Sequence, residues 1–233
     1  MKQPATSVVM IALCVLCVGG VLVASNMALV INYQLTGPAS VGGRGTGVNT
    51  LSLPYRLPPG IGNAHDLMLD IGGGTIAPVL AVSRFKESGD VFETYTGRMG
   101  APVLAPFPLV PGEGLFVQMA ANVNYVVVGS EDPTISIPLE SAGGSSSSGK
   151  NFFAPPYNTT ATNAFQLTVD IGGPNPRFVV SSISKFLATT NTYCTYIPPP
   201  RVGGTPCQNY PLVVGEAYFL NMAVTVPYTP SHY

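Results

Sequence analysis

The sequence predicts a mainly β protein built from two similar antiparallel modules, sandwich-like or barrel-like, each with one short helix. The segment PLVPGEG at 108–114 returns as PLVVGEA at 211–217, 103 residues later. The 233 residues include 26 glycines and 23 prolines, as expected for a chain with frequent turns. Short apolar runs with period-two alternation lie between these turns, which is typical of strands.

The predicted elements follow one another in the same order in both copies. In the first copy, strands are expected over 27–35, 49–55, 79–85, 91–95, 115–121, 125–128 and 134–139. A short helix should begin after Asn63, whose side chain can cap it, and end at Gly72 or Gly73. In the second copy 151–157 corresponds to 49–55, and Asn163 corresponds to Asn63.

These correspondences divide the chain into four predicted parts. They are an N-terminal segment (1–26), module one (27–140), a Gly/Ser linker (141–150) and module two (151–233). The linker prediction depends on SAGGSSSSG at 141–149, a composition typical of flexible linkers or exposed hairpin tips.

The N-terminal segment has two interpretations. Residues 3–43 contain no charged side chain, and 8–24 are almost wholly apolar. The segment is either a secretory signal peptide cleaved near Ser25 or a retained transmembrane helix starting near Ser7. In both cases the modules lie outside the cytoplasm. They are periplasmic or at the cell surface if residues 7–31 stay in the membrane, with the N-terminus cytoplasmic, and secreted if the segment is removed.

Composition limits the classes of partner. Charged residues make up 9% of the chain, against about 25% in an ordinary soluble domain. A net charge of −1 provides no field that would attract nucleic acid. Cys14 and Cys17 lie in the apolar run and are interpreted as small apolar residues. Cys194 and Cys207 are 13 residues apart, and an oxidising compartment favours a disulfide between them.

Three charged positions recur although charge is scarce. They are the pairs Asp70/Asp170, Arg84/Lys185 and Glu113/Glu216. We interpret them as structural: each glutamate should be bonded to backbone amides or to the cation of its own module, so that Glu113→Gln would destabilise module one. The same acids could serve an Asp/Glu-dependent hydrolase, and Glu131-Asp132 could contribute to a calcium site. We predict no catalytic, cofactor-binding or metal-binding residue.

Four tyrosines also recur at matched positions: Tyr55/Tyr157 and Tyr95/Tyr196. Aromatic rings on β modules commonly stack against sugars, so these residues are candidates for facing a carbohydrate ligand. The alternative interpretation is packing at the edge of the core with a hydrogen-bonded hydroxyl.

A series of motifs recurs along the chain: SLPY, DIG, SRF, YTG and PLVPGEG, and then PPY, DIGG, PLVVGEA and a closing PSHY. This order of motifs resembles a tandem-repeat β-domain found in uncharacterised secreted bacterial proteins. The resemblance covers nearly all of the chain after Asn26. It implies secretion and a bacterial source, and it implies no substrate.

The predicted function is that of a non-enzymatic extracytoplasmic structural or interaction protein. We expect a membrane-anchored accessory subunit of a larger membrane or envelope assembly, whose partners are the membrane and other proteins of that assembly. A secreted carbohydrate-binding module is the alternative, and an Asp/Glu-dependent hydrolase is a weaker one. Neither a cofactor nor nucleic acid is expected.

Overall fold

The computed structural model describes residues 29–38, 45–97, 105–132, 134–144, 146–157, 159–199 and 207–230. The predicted N-terminal anchor or signal, with Cys14 and Cys17, lies outside these residues. Within the described ranges, no helix has the length and apolar character needed to cross a bilayer.

The prediction of a mainly β, antiparallel fold is confirmed. The first half contains β1 (Leu29–Leu35), β2 (Val48–Ser52), α1 (Ala64–Ile71), β3 (Val79–Lys86), β4 (Val91–Tyr95), β5 (Gly114–Met119) and β6 (Val123–Gly129). The second half contains β7 (Ile137–Leu139), β8 (Lys150–Phe153), α2 (Ala164–Gly172), a 3-10 turn (Pro176–Phe178), β9 (Val180–Leu187), β10 (Thr192–Tyr196), β11 (Tyr218–Met222) and β12 (Val226–Tyr228).

The two halves have the same connectivity. The first contains a four-stranded sheet in the order β2-β5-β3-β4, and the second a sheet in the corresponding order β8-β11-β9-β10. Each half also has a two-stranded ribbon, β1–β6 in the first and β7–β12 in the second. We call the two halves module one and module two.

The module boundary differs from the one predicted. β7 lies in the range assigned to module one, but it pairs with β12 at the opposite end of the chain. The serine-rich segment is therefore the β7–β8 connection inside module two. It is also held in place, because Ser146 is buried and the Ser147 amide donates to the Glu87 carbonyl at 2.8 Å. Composition alone does not reveal these contacts.

Both helices begin and end as predicted, for local reasons. The Asn63 side chain accepts hydrogen bonds from the amides of His65 and Asp66, which otherwise have no partner in the first turn. Asn163 accepts in the same way from the amide of Gln166, and Gly173 ends α2 with a φ of 69°. Each helix lies against its own module's core.

The two four-stranded sheets meet through a layer of phenylalanines. Alternation along the strands places one set of side chains against the helix and ribbon, and the other set on the opposite face of the sheet. On that face Phe152 stacks on both Phe116 and Phe219, with ring centroids 4.6 and 4.5 Å away. Phe85 contacts Phe219 at 5.2 Å, and the equivalent pair Phe116 and Phe186 is 5.4 Å apart. This exchange of equivalent contacts is what an approximate two-fold axis between the modules produces.

Candidate functional site

The first pair of recurring tyrosines joins the modules. The Tyr55 hydroxyl donates to the Ala154 carbonyl at 3.0 Å, and the Tyr157 hydroxyl donates to the Ser52 carbonyl at 2.9 Å. Each tyrosine thus reaches the end of the other module's first sheet strand. Burial raises the pKa of both phenols, so they stay neutral hydrogen-bond donors. The prediction that they face a ligand does not fit these positions.

The second pair is also buried. Tyr95 and Tyr196 lie in the cores of modules one and two, respectively. The Tyr95 hydroxyl is 2.9 Å from Nδ1 of His65, and the two rings meet edge to face. The recurrence of these tyrosines is explained by packing, and neither ring offers an open face for a sugar.

The recurring aspartates connect each helix to its ribbon. Tyr125 on β6 donates a hydrogen bond of 2.8 Å to Asp70 at the end of α1. Tyr228 on β12 donates to Asp170 in the same way. Burial, and secondarily the neighbouring carboxylate, raises the pKa of both tyrosines. These acids therefore link each helix to the ribbon of its own module.

The recurring charges of module two form the predicted pair. Lys185 Nζ lies 2.7 Å from a carboxylate oxygen of Glu216, and both side chains are largely buried. The Tyr218 hydroxyl donates to the same oxygen at 3.2 Å and accepts from the Val213 amide at 2.8 Å. Glu216 thus has an ammonium and a phenol as partners.

The corresponding charges of module one do not pair, so the cation predicted for Glu113 is wrong. Against the larger effect of burial, a backbone hydrogen bond at Val110 lowers the Glu113 pKa, which agrees with the alternative prediction of a backbone partner. Arg84 donates through two nitrogens to Glu93, at 2.7 and 2.8 Å. Glu93 faces Arg84 across the β3–β4 ladder, whereas Cys194 occupies the matching position opposite Lys185. Arg84 is therefore held by a neighbour on the next strand, which Lys185 does not have.

Glu113 is left with a buried carboxylate oxygen that has no hydrogen-bond partner among the described residues. Leu115 stands where module two has Tyr218, so the phenol is missing as well. Burial raises the Glu113 pKa from 4.5 to about 7, although the nearby Arg84 charge opposes part of this shift. A carboxyl with a pKa in this range exchanges its proton near neutral pH.

A cavity of about 490 Å³ lies beside Glu113, between the two modules. Module one contributes Arg84, Lys86 and Glu87 to its wall, and module two contributes Glu140 and Ile137. Ile137 of module two corresponds to Tyr33 of module one. Each lies opposite the equivalent tyrosine of its own ribbon: Ile137 faces Tyr228, and Tyr33 faces Tyr125. The Tyr33 ring is larger than the Ile137 side chain, so it fills the space that Ile137 leaves open as the cavity beside Glu113.

The turn glycines show how closely these side chains approach. Gly112 and Gly215 both have a positive φ, at 80° and 90°. A Cβ atom on Gly112 would lie 2.6 Å from the Ile137 side chain, and one on Gly215 would lie 2.6 Å from the Tyr33 ring. Both turns therefore need glycine for conformation and for space.

A second cleft of about 400 Å³ lies on the inner faces of the sheets. Phe92 on edge strand β4 and Tyr193 on edge strand β10 border it, with 48% and 47% of their surfaces exposed. Its other walls carry hydroxyl, amide and charged groups, from Asp90, Lys150, Ser182, Ser184, Thr195 and Asn221. Sequence reasoning missed both aromatics, although their matched positions before Tyr95 and Tyr196 were a usable signal.

Cys194 and Cys207 are joined by a disulfide, with their Cα atoms 5.4 Å apart. The acidic pair considered for calcium is engaged otherwise: Glu131 accepts from the Tyr157 amide, and Asp132 pairs with Arg56 and Thr134. The described residues contain no group of three or more ligands that could hold a metal ion.

Comparison with known proteins found no match to a family model, a curated protein or a solved structure. The resemblance to secreted tandem-repeat domains therefore stays an expectation.

Proposed function

We propose that the protein is a membrane-anchored, extracytoplasmic interaction protein, an accessory subunit of a membrane or envelope assembly. The observation that carries this proposal is the outer face of the β1–β6 ribbon. Val30, Val126 and Val128 are 59%, 51% and 48% exposed there. Val30 lies directly opposite Val128 in the ladder, and Val126 is the next outward residue on β6. The three side chains form one apolar patch, which we call the valine patch.

The surroundings of the valine patch favour a partner next to the membrane. β1 and β6 contain no charged residue. β1 begins at Leu29, so residues 29–31, which the predicted membrane segment 7–31 included, lie in the ribbon instead. An anchor retained before Leu29 would hold the patch at the membrane surface. A contiguous apolar patch on a protein surface is a candidate interaction site. A protein partner with an apolar surface of its own, anchored in the same membrane, fits this location.

The corresponding ribbon of module two has a different surface. Its strands have three residues each, and Pro138 faces Pro227 across the ladder with both residues exposed. Proline lacks the amide donor, so this short ribbon is poorly suited to adding a further strand. The apolar patch is thus a property of module one, which is the module next to the anchor.

Photocrosslinking in intact cells tests the proposal. A photoreactive amino acid at position 126 should give an adduct with a second protein in the membrane fraction, and Val128→Asp should abolish it. A probe at Val214, 61% exposed on the β10–β11 turn, is the matched control and should give no such adduct. An adduct of twice the chain mass would indicate self-association, and crosslinks to lipid alone would indicate the bilayer. Either result, or recovery of the whole chain from the medium, would overturn the proposal.

The carbohydrate-binding alternative has its own observation, the cleft between Phe92 and Tyr193. Aromatic rings beside hydroxyl and amide groups are a common way to bind sugars, and this cleft replaces the four tyrosines predicted for that role. Glycan binding that is lost in Tyr193→Ala and kept in Val128→Asp would favour this alternative.

A further inference from the structure

We propose that the cavity beside Glu113 binds a primary alkylammonium group, from a small diamine or from a lysine side chain of another protein. In module two, the equivalent glutamate already holds such a group. Lys185 places its ammonium 2.7 Å from Glu216, at a site assembled from the same turn and the same pair of strands. In module two, the site equivalent to the cavity beside Glu113 is thus already occupied by the Lys185 ammonium.

Module one lacks this occupant because its own cations are held elsewhere. Glu93 binds Arg84 at 2.7 Å and Lys86 Nζ at 3.0 Å. Both cations line the cavity, but their charges are directed to a carboxylate on the next strand. Glu113 has a buried oxygen without a partner among the described residues, so the position of the Lys185 ammonium has no equivalent in module one.

The cavity carries two further carboxylates that its counterpart lacks. Glu87 of module one corresponds to Ala188 of module two. Glu140 of module two corresponds to Thr36 of module one. Burial raises the pKa of Glu87, and the proximity of Glu140 raises it further. A positive charge in the cavity would relieve the cost of keeping the Glu87 carboxylate partly buried and close to Glu140.

The arrangement fits an amine better than a metal ion. The described acids do not form a group that could hold a metal. A volume of about 490 Å³ instead suits an organic molecule of a few carbon atoms. Phe85 and Phe152 supply apolar wall for an alkyl chain, and exposed Val110 and Pro138 lie at the edge of the cavity. Separated carboxylates with apolar surface between them match an alkyl chain with a charged end.

Calorimetric titration of the folded protein tests the proposal, with 1,5-diaminopentane and Nα-acetyl-lysine amide as probes and 1,5-pentanediol as the neutral control. We expect the amines to bind and the diol not to bind. Glu113→Gln should weaken amine binding at least tenfold, whereas Glu216→Gln, whose site is already filled by Lys185, should leave it unchanged. Glu93→Gln frees Arg84 to pair with Glu113 and should also weaken binding. Tighter binding of the diamine would indicate a free metabolite, and tighter binding of the lysine amide a protein partner.

The pH dependence provides a second measurement. Affinity should rise between pH 6 and pH 8, because Glu113 ionises in this interval while an alkylamine stays protonated. Arg84, Lys86, Glu87, Glu93 and Glu140 also face this region, so the rise should disappear in Glu113→Gln. Absence of amine binding at millimolar concentration would overturn the proposal. Wild-type affinity in a folded Glu113→Gln variant would also overturn it.

Discussion

Replacement of Glu113 by glutamine is expected to stabilise the protein at pH 8 and to have little effect at pH 4. The folded state raises the pKa of this carboxyl from 4.5 to about 7, so the folded protein binds the proton more tightly than the unfolded chain does. The favourable contribution is present below pH 4.5 and is lost as the pH rises toward 7. Above that range the ionised carboxylate destabilises the fold. Allowing for partial solvent access, we expect Glu113→Gln to gain about 1–2 kcal/mol at pH 8.

Urea denaturation at the two pH values measures this effect. The matched variant Glu216→Gln should have the opposite sign at pH 8, because it leaves Lys185 without its carboxylate partner. The sequence-based expectation was that Glu113→Gln would destabilise module one. A loss of stability at pH 8 would support that expectation and contradict the unpaired geometry described above.

Replacement of Phe152 by alanine should cause the larger change, a loss of about 3–5 kcal/mol. Phe152 is 2% exposed and stacks on rings from both modules, so its removal leaves a void at the centre of the sheet interface. Phe178→Ala is a suitable control because that side chain is 60% exposed, and its effect should stay within about 0.5 kcal/mol. Equal effects of the two variants in urea denaturation would mean that the sheets do not depend on this contact.

Local signals were sufficient to predict much of the fold. The caps at Asn63 and Asn163 and the stops at Gly72 and Gly173 depend on the hydrogen bonds of one helical turn, so they can be read from neighbouring residues. The strands predicted over 79–85 and 91–95 correspond to β3 and β4, which are adjacent in sequence and pair with each other, so a local pattern was again sufficient.

The module boundary needed information that no short segment contains. β7 and β12 pair across the whole length of module two, and β7 is only three residues long. A strand of this length has a weak pattern, and its partner is decided by the packing of the complete module.

The partner of Glu113 could not be predicted because it depends on strand register. Recurrence suggested Arg84, by analogy with Lys185 and Glu216. The register of β3 against β4 places Glu93 directly opposite Arg84, so the cross-strand pair forms instead. The roles of Tyr55 and Tyr157 were hidden for a related reason: their acceptors belong to the other module, and the sequence does not give the relative placement of the modules.

The packing of the two modules against each other underlies both the cavity and the buried tyrosines, and contacts between phenylalanine rings test it most directly. In protein with ¹³C-labelled phenylalanine, nuclear Overhauser contacts should connect Phe116 with Phe152 and Phe85 with Phe219, across the module interface. Contacts confined to pairs within one module, such as Phe85 with Phe92, would contradict the arrangement.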